Sequence, residues 1–321
     1  MTRAQLATPP PSLSIAAAEM LFSRIILAVD FGSASLGAAR WATTHVASGG
    51  DAVLMHVVPC DDELGLADGR QDSDDELRRG MAPALTGGLG GFAATLDVAT
   101  ARSIVRFGRP SSCLGAATND AEASLLVLGR RAAANRIGVG EPNVIERVTR
   151  RTSASVLVIP EGITRAPEHV VAAVDQSAFA PAVLRVAARL ARLHEIPLTV
   201  LHVLSPIAGA YERLIRTAKQ LVAATDNKKS KGGSSPARVS PSKARWLMNV
   251  ERGHTVMGRD ATEVAVGDPA REIARTATDR DSALVVIGTR GEDGAPVGSI
   301  GSVARELLTR APVPVLAVNA V

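Results

Sequence analysis

Five short apolar runs occur twice in this chain, in the same order, and this repetition restricts its architecture more than any other feature. Arg24–Asp30 (RIILAVD) returns as His169–Asp175 (HVVAAVD), each run closing on an acid. Ala52–Pro59 returns as Leu198–Pro206, with a histidine at the matching place, His56 and His202. Phe107–Gly108–Arg109–Pro110 matches Val266–Gly267–Asp268–Pro269, Leu125–Gly129 matches Leu284–Gly288, and Ser155–Ile159 matches Pro314–Val318. From Gly108 onward the two sets keep one constant offset of 159 residues. An ordered repeat of this kind means two copies of one structural unit in tandem.

Each run is about five apolar residues bounded by Gly, Pro or Asp, the pattern of a strand buried on both faces. Helical patterns lie between the runs. Val183, Val186, Ala187 and Leu190 form one apolar stripe, and Asp268 followed by Pro269 reads as an N-cap and first helical residue leading into Ala270–Ala277. Alternating strands and helices give a parallel sheet with right-handed crossovers. The expected fold class is α/β: two tandem doubly wound, Rossmann-like domains, each a five-stranded parallel sheet with helices on both faces. Residues 1–20 are expected to be a disordered extension, 21–162 the first domain and 163–321 the second. The connection between the second and third strands is longer in the second copy, and its excess, about 226–245, is rich in Lys, Ser, Gly and Pro. Such a segment buries too little apolar surface to offset its ordering entropy and reads as a solvated, disordered loop.

Composition narrows the function. The 36 basic and 32 acidic residues leave a formal charge of only +4, and aromatic residues make up 2% of the chain. Neither a strongly basic face nor a stacking platform is indicated, so nucleic acid is not an expected partner. No run is long and apolar enough to span a bilayer. Cys60 and Cys113 have neither metal-ligand nor CxxC spacing, which suits a reduced thiol pair and a cytoplasmic location.

In an open parallel sheet, ligands bind beyond the carboxyl ends of the strands where the strand order reverses. After its fourth strand the second copy runs from Gly288 through Gly291 to Gly301–Ser302–Val303, a G-x2-G-x9-G-S pattern leading into a helical segment. Glycines let the backbone approach an anion closely, and amides at a helix start hold phosphate oxygens. Ser302 is placed to cap that helix and to offer its hydroxyl to the same oxygens. A flexible glycine loop before an ordinary capped helix would give the same pattern.

The order of strands around this loop resembles the ATP-binding universal stress proteins, of the adenine nucleotide alpha hydrolase-like group, from about residue 22 onward. The resemblance implies an ATP site in the second copy. Gly288 and Gly291 would line the ribose and phosphates, and Gly301, Ser302 and Val303 would hold the phosphates through backbone amides and the Ser hydroxyl. Asp175 would lie beside the nucleoside, and the Val203 backbone would meet the adenine edge. Mg²⁺ commonly accompanies bound ATP. The family pairs its domains along the last strand, so Val156–Ile159 and Val313–Val318 are expected to join the copies as an internal pseudo-dimer, with further homodimerisation open.

The first copy keeps Asp30, Val57 and Gly129 but has Ala132 where Gly291 stands, Pro142 for Gly301 and Asn143 for Ser302. Proline has no amide hydrogen and its ring fills space, so the first site reads as degenerate. The expected function is an ATP-binding regulatory protein of the stress response, with a protein partner still to be identified. A scaffold built from two vestigial domains is the alternative. No nucleophile–base pair, P-loop or dinucleotide fingerprint occurs, so enzymatic activity is expected to be slow ATP hydrolysis at most. The recurrence of His56 and His202 in both copies favours packing over catalysis. Ser48–Asp51 reads as a turn, and Arg130, Arg131, Arg150 and Arg151 read either as a basic rim or as exposed helix-end residues.

Overall fold

The computed structural model describes residues 21–60, 71–131, 144–175, 177–204, 261–280, 283–290 and 299–319. The expected N-terminal extension and the insert at about 226–245 lie outside these residues. In the first half, strands β1 (Arg24–Ala28), β2 (Asp51–Val58), β3 (Thr100–Phe107), β4 (Leu125–Arg130) and β5 (Ser155–Pro160) alternate with helices α1 (Ser33–His45), α2 (Gln71–Ala93), α3 (Pro110–Asp120) and α4 (Val144–Thr149). The second half carries β6 (His169–Ala173), α5 (Ala180–Leu193), β7 (Leu198–Leu204), β8 (Ala261–Val266), α6 (Pro269–Thr278), β9 (Ala283–Gly288), α7 (Ser302–Arg310) and β10 (Val315–Val318).

All ten strands join one sheet in the order β3-β2-β1-β4-β5-β10-β9-β6-β7-β8. Pairing is parallel within each half and antiparallel only where the halves meet, with Val158 opposite Val315, Leu157 opposite Leu316 and Val156 opposite Ala317. These are the last strands expected to pair, so the edge each domain would expose is covered by its sister. The outer strands β3 and β8 are largely exposed and carry charges such as Arg102, Arg106 and Glu263, residues that discourage edge-to-edge association.

Successive strand residues feed opposite faces. Ile25 and Leu27 enter the core under α1, α2 and α5, while Ile26 enters the core under α3, α4, α6 and α7; Val170 and Ala172 part from Val171 in the same way. Two buried faces explain why the strands read as unbroken apolar runs. The stripe on α5 points inward, with Val183, Ala187 and Leu190 buried and Val186 partly so. Asp268 caps α6 by accepting the Arg271 N–H at 3.0 Å. Ser48 and Gly49 form a turn, with Gly49 at φ +73°, and Asp51 opens β2. No helix among the described residues is long and apolar enough to cross a membrane.

Candidate functional site

In the second half the chain runs outward from β6 to β7 and β8, then returns through β9 and β10 on the other side. The order therefore reverses between β6 and β9, and a cleft beyond their carboxyl ends is the natural ligand position. Asp175 follows β6 and accepts the Ser177 N–H at 3.0 Å, a local contact that holds the carboxylate beyond the carboxyl end of β6. Val203 lies near the end of β7, where the neighbouring His202 ring nitrogen Nδ1 meets the Val174 carbonyl oxygen at 2.8 Å. This contact ties the end of β7 to the backbone just before Asp175. Gly288 closes β9. A Cβ there would meet the Arg290 carbonyl oxygen at 3.1 Å and Phe179 Cβ at 3.3 Å, so the close approach of α5 favours glycine.

The helix start differs from the expectation in two respects. Gly301, not Ser302, is the N-cap of α7: its φ of −62° and ψ of 149° are extended, and Ser302 is already helical. The Gly301 N–H is also engaged, donating to the Thr289 carbonyl at 2.9 Å. That bond ties the amino end of α7 to the end of β9 and leaves the role of phosphate donor to later amides. The first intrahelical bond runs from Arg305 N–H to Gly301 O, so the amides of Ser302, Val303 and Ala304 have no acceptor within the helix. Ser302 is exposed, and Gly301 and Val303 are half-buried. Asp175, Val203, Gly288, Gly301, Ser302 and Val303 thus lie at or just after the carboxyl ends of β6, β7 and β9 and at the amino end of α7, while Gly291 lies outside the described residues.

Arg290, which the sequence reading did not single out, belongs to the same neighbourhood. Its guanidinium lies over the Phe179 ring, 5.7 Å from the centroid, and its Nε is buried with no hydrogen-bond partner among the described residues. A buried cationic donor beside a helix start suits an anionic ligand.

The sequence profile described as the universal stress protein family matches residues 21–160 and again 167–319. The chain belongs to the universal stress protein family. Among solved structures, it is similar to a universal stress protein from Archaeoglobus fulgidus DSM 4304, with a TM-score of 0.61 at 16% identity, over 93% of this chain and 99% of that one. A functionally unknown protein from Pseudomonas aeruginosa PAO1 aligns with a TM-score of 0.56 at 13% identity, over 94% of both chains. The universal stress protein from Archaeoglobus fulgidus in complex with dAMP is 25% identical over 47% of this chain and 97% of that one, with a TM-score of 0.29. No curated protein matches the chain by sequence.

The first universal stress domain has the same frame with different occupants. Asp30 accepts the Gly32 N–H at 2.9 Å, as Asp175 accepts that of Ser177. His56 Nδ1 meets the Val29 carbonyl oxygen at 2.7 Å, as His202 meets Val174. The recurring histidines therefore tie two strand ends together, in keeping with the packing role expected of them. The Asp30 carboxylate, however, also accepts the Ser35 hydroxyl at 2.5 Å and an ion pair from Arg131 at 2.6 Å. Burial pushes this carboxyl up, but the hydrogen bonds from Ser35 and Gly32 and the Arg131 charge outweigh it and hold its pKa below the ordinary value. Phe31, at φ +60°, tilts its ring against His56 with centroids 4.9 Å apart.

Gly129 survives in this domain for a reason unrelated to any ligand. A Cβ there would come closer than 3.0 Å to the Ala34 carbonyl and the Ser35 nitrogen, so the start of α1 admits only glycine. The four arginines read as a possible rim are dispersed. Arg130 reaches into the second domain, Arg131 holds Asp30, Arg150 pairs with Glu146 at 2.5 Å, and Arg151 donates to Ser111 and Ser112. Ala132, Pro142 and Asn143 lie outside the described residues.

Proposed function

We propose that this universal stress protein is an ATP-binding regulatory protein whose nucleotide sits in the second domain, while the equivalent place in the first domain is taken by the chain's own side chains. The observation that carries this reading is the contrast between equivalent arginines: Arg131 is spent on Asp30, whereas Arg290 lies next to Thr289, which anchors the start of α7, and its buried Nε has no hydrogen-bond partner among the described residues. The amides of Ser302, Val303 and Ala304 and the Ser302 hydroxyl would hold the phosphates. Asp175 would meet the ribose, the Val203 backbone the adenine edge, and the Gly288 backbone the ribose and phosphates. Mg²⁺ would reach the protein chiefly through the phosphates it accompanies.

Ligand occupancy stabilises a state by RT ln(1 + [L]/Kd), about 2.7 kcal/mol at a hundredfold excess over Kd, enough to bias a marginal equilibrium between conformations or assemblies. In this reading the nucleotide acts as a signal of energy state rather than as a substrate, and a cytoplasmic setting, where ATP is plentiful, fits it. Denaturing the purified protein and analysing the released small molecules by mass spectrometry tests the proposal directly. An adenine nucleotide near one per chain is expected. No nucleotide, combined with no heat on calorimetric titration with Mg-ATP, would favour the scaffold reading instead.

A further inference from the structure

The carboxyl end of α7, the helix whose amino end forms the proposed phosphate cradle, is held by the other domain. Arg130, the last residue of β4, donates from Nη1 to the Thr309 carbonyl at 2.9 Å and from Nη2 to the Ala311 carbonyl. These are carbonyls of the last helical turn and of the C-cap, where the helix dipole is negative and a guanidinium is favourably placed. The related position on the other side of the junction is built differently. Thr289 stands where Arg130 does, its hydroxyl donating to Asn319 Oδ1 at 3.2 Å, while Asn319 Nδ2 donates to the Thr152 carbonyl at 2.9 Å. A charged fork grips the second domain's helix, and a neutral relay touches the chain after the first domain's helix.

We propose that Arg130 is a positioning residue for the nucleotide site of the second domain. The inference rests on the nucleotide-binding reading above and adds its regulation: occupancy of the second domain is coupled to the carboxyl end of β4 in the first. A helix of nine residues is a rigid rod about 13 Å long, so fixing its carboxyl end through two bonds fixes where its amino-terminal amides point. Adjacent arginines divide the work. Arg130 holds α7, and Arg131 holds Asp30, so the carboxyl end of β4 links the acid of the first domain to the helix of the second. By linkage, a ligand that orders the amino end of α7 also tightens the contact at its carboxyl end.

The test uses the full chain. Mg-ATP is titrated calorimetrically into wild type, Arg130→Ala, Arg130→Lys and His194→Ala, and hydrogen exchange in residues 125–131 is followed with and without nucleotide. His194 serves as the control because its Nε2 meets the His45 carbonyl oxygen at 2.5 Å, another contact between the domains on the opposite face of the sheet. Arg130→Ala is expected to weaken ATP about three- to tenfold, in the range for mutations that alter coupling without touching ligand. Arg130→Lys should recover part of that loss, and His194→Ala should leave affinity unchanged. ATP should slow exchange in residues 125–131 of wild type and lose that effect in Arg130→Ala. Wild-type affinity and exchange response in Arg130→Ala would overturn the proposal, as would an equal loss in His194→Ala, which would indicate general loosening of the junction. Should Arg130→Ala fail to fold, Arg130→Lys decides alone, and an unchanged affinity with an unchanged exchange response overturns the proposal. If wild type itself binds no ATP, the nucleotide reading falls first and this inference with it.

Discussion

The two domains share a frame and differ in what stands inside it. In both, an acid after the first strand accepts a backbone N–H two residues on, and a histidine from the second strand meets the carbonyl just before that acid. The difference lies in equivalent arginines: Arg131 is drawn onto Asp30, while Arg290 rests over Phe179. The comparison separates residues that the fold itself explains from residues to which only the proposed function gives a role. His56, His202 and Gly129 belong to the first kind, since each has a tertiary partner that explains it without a nucleotide. In the proposed reading Asp175 is of the second kind, and Asp30, its counterpart, is paired with Arg131 instead.

The comparison breaks most readily at the cradle. Gly291→Asp, which sets a carboxylate against the phosphates, and Gly301→Val, which crowds the helix start, should each reduce ATP affinity by about a hundredfold or more. Gly301 has an extended backbone that Val adopts readily, so circular dichroism should show the fold intact. Retained affinity in folded variants would move the site elsewhere.

Next in size is the asymmetry of the acids. Asp175→Ala should weaken ATP about tenfold or more, the size expected for a lost hydrogen bond to a charged group, and Asp30→Ala should leave it unchanged. Equilibrium dialysis should find one ATP per chain. Two equivalent nucleotides would remove the asymmetry altogether.

Importing the first domain's residue into the second probes the same place. Gly301→Pro adds a ring at the helix start and also removes the N–H that donates to Thr289 O, so it should weaken ATP at least as much as Gly301→Val. The converse change, Arg131→Ala with Ala132→Gly, Pro142→Gly and Asn143→Ser, should produce a weak second binding event in the titration. Its failure would show that the first pocket has drifted further than these four positions.

The smallest effect concerns acid, and it should fall on the first domain. Burial and the nearby His194 lower the pKa of His45 from the ordinary 6.5. The unfolded chain therefore binds the proton first, so the stabilisation is complete above about that value and is lost as pH falls through the folded pKa. Asp30, although burial opposes the shift, lies below its ordinary 3.8, so its contribution is complete above that value and lost at still lower pH. Melting temperature should thus decline in two stages on acidification. His45→Gln should flatten the upper stage and Asp30→Asn the lower, and unchanged profiles would show that neither group is linked to folding.

The strands, their order, the α6 cap at Asp268, the apolar stripe of α5 and the tandem organisation were legible because each depends on residues close together in sequence. A buried strand needs a run of apolar residues, and a helix needs its stripe and its cap, wherever the rest of the chain lies. The G-x2-G-x9-G-S loop could be seen for the same reason. The assignment of the cap to Ser302 failed because serine and glycine both serve as N-caps, and only the backbone at Gly301 decides between them. Contacts across the sheet decided the rest. Arg131 meets Asp30 across 101 residues and Arg130 meets Thr309 across 179, and nothing in a local pattern tells one surface arginine from another. The sequence by itself determined two universal stress domains and a glycine-rich loop; the tertiary structure determined that Arg131 pairs with Asp30 and that Arg130, at the end of β4, reaches α7 of the second domain, because those outcomes depend on distances between residues remote along the chain.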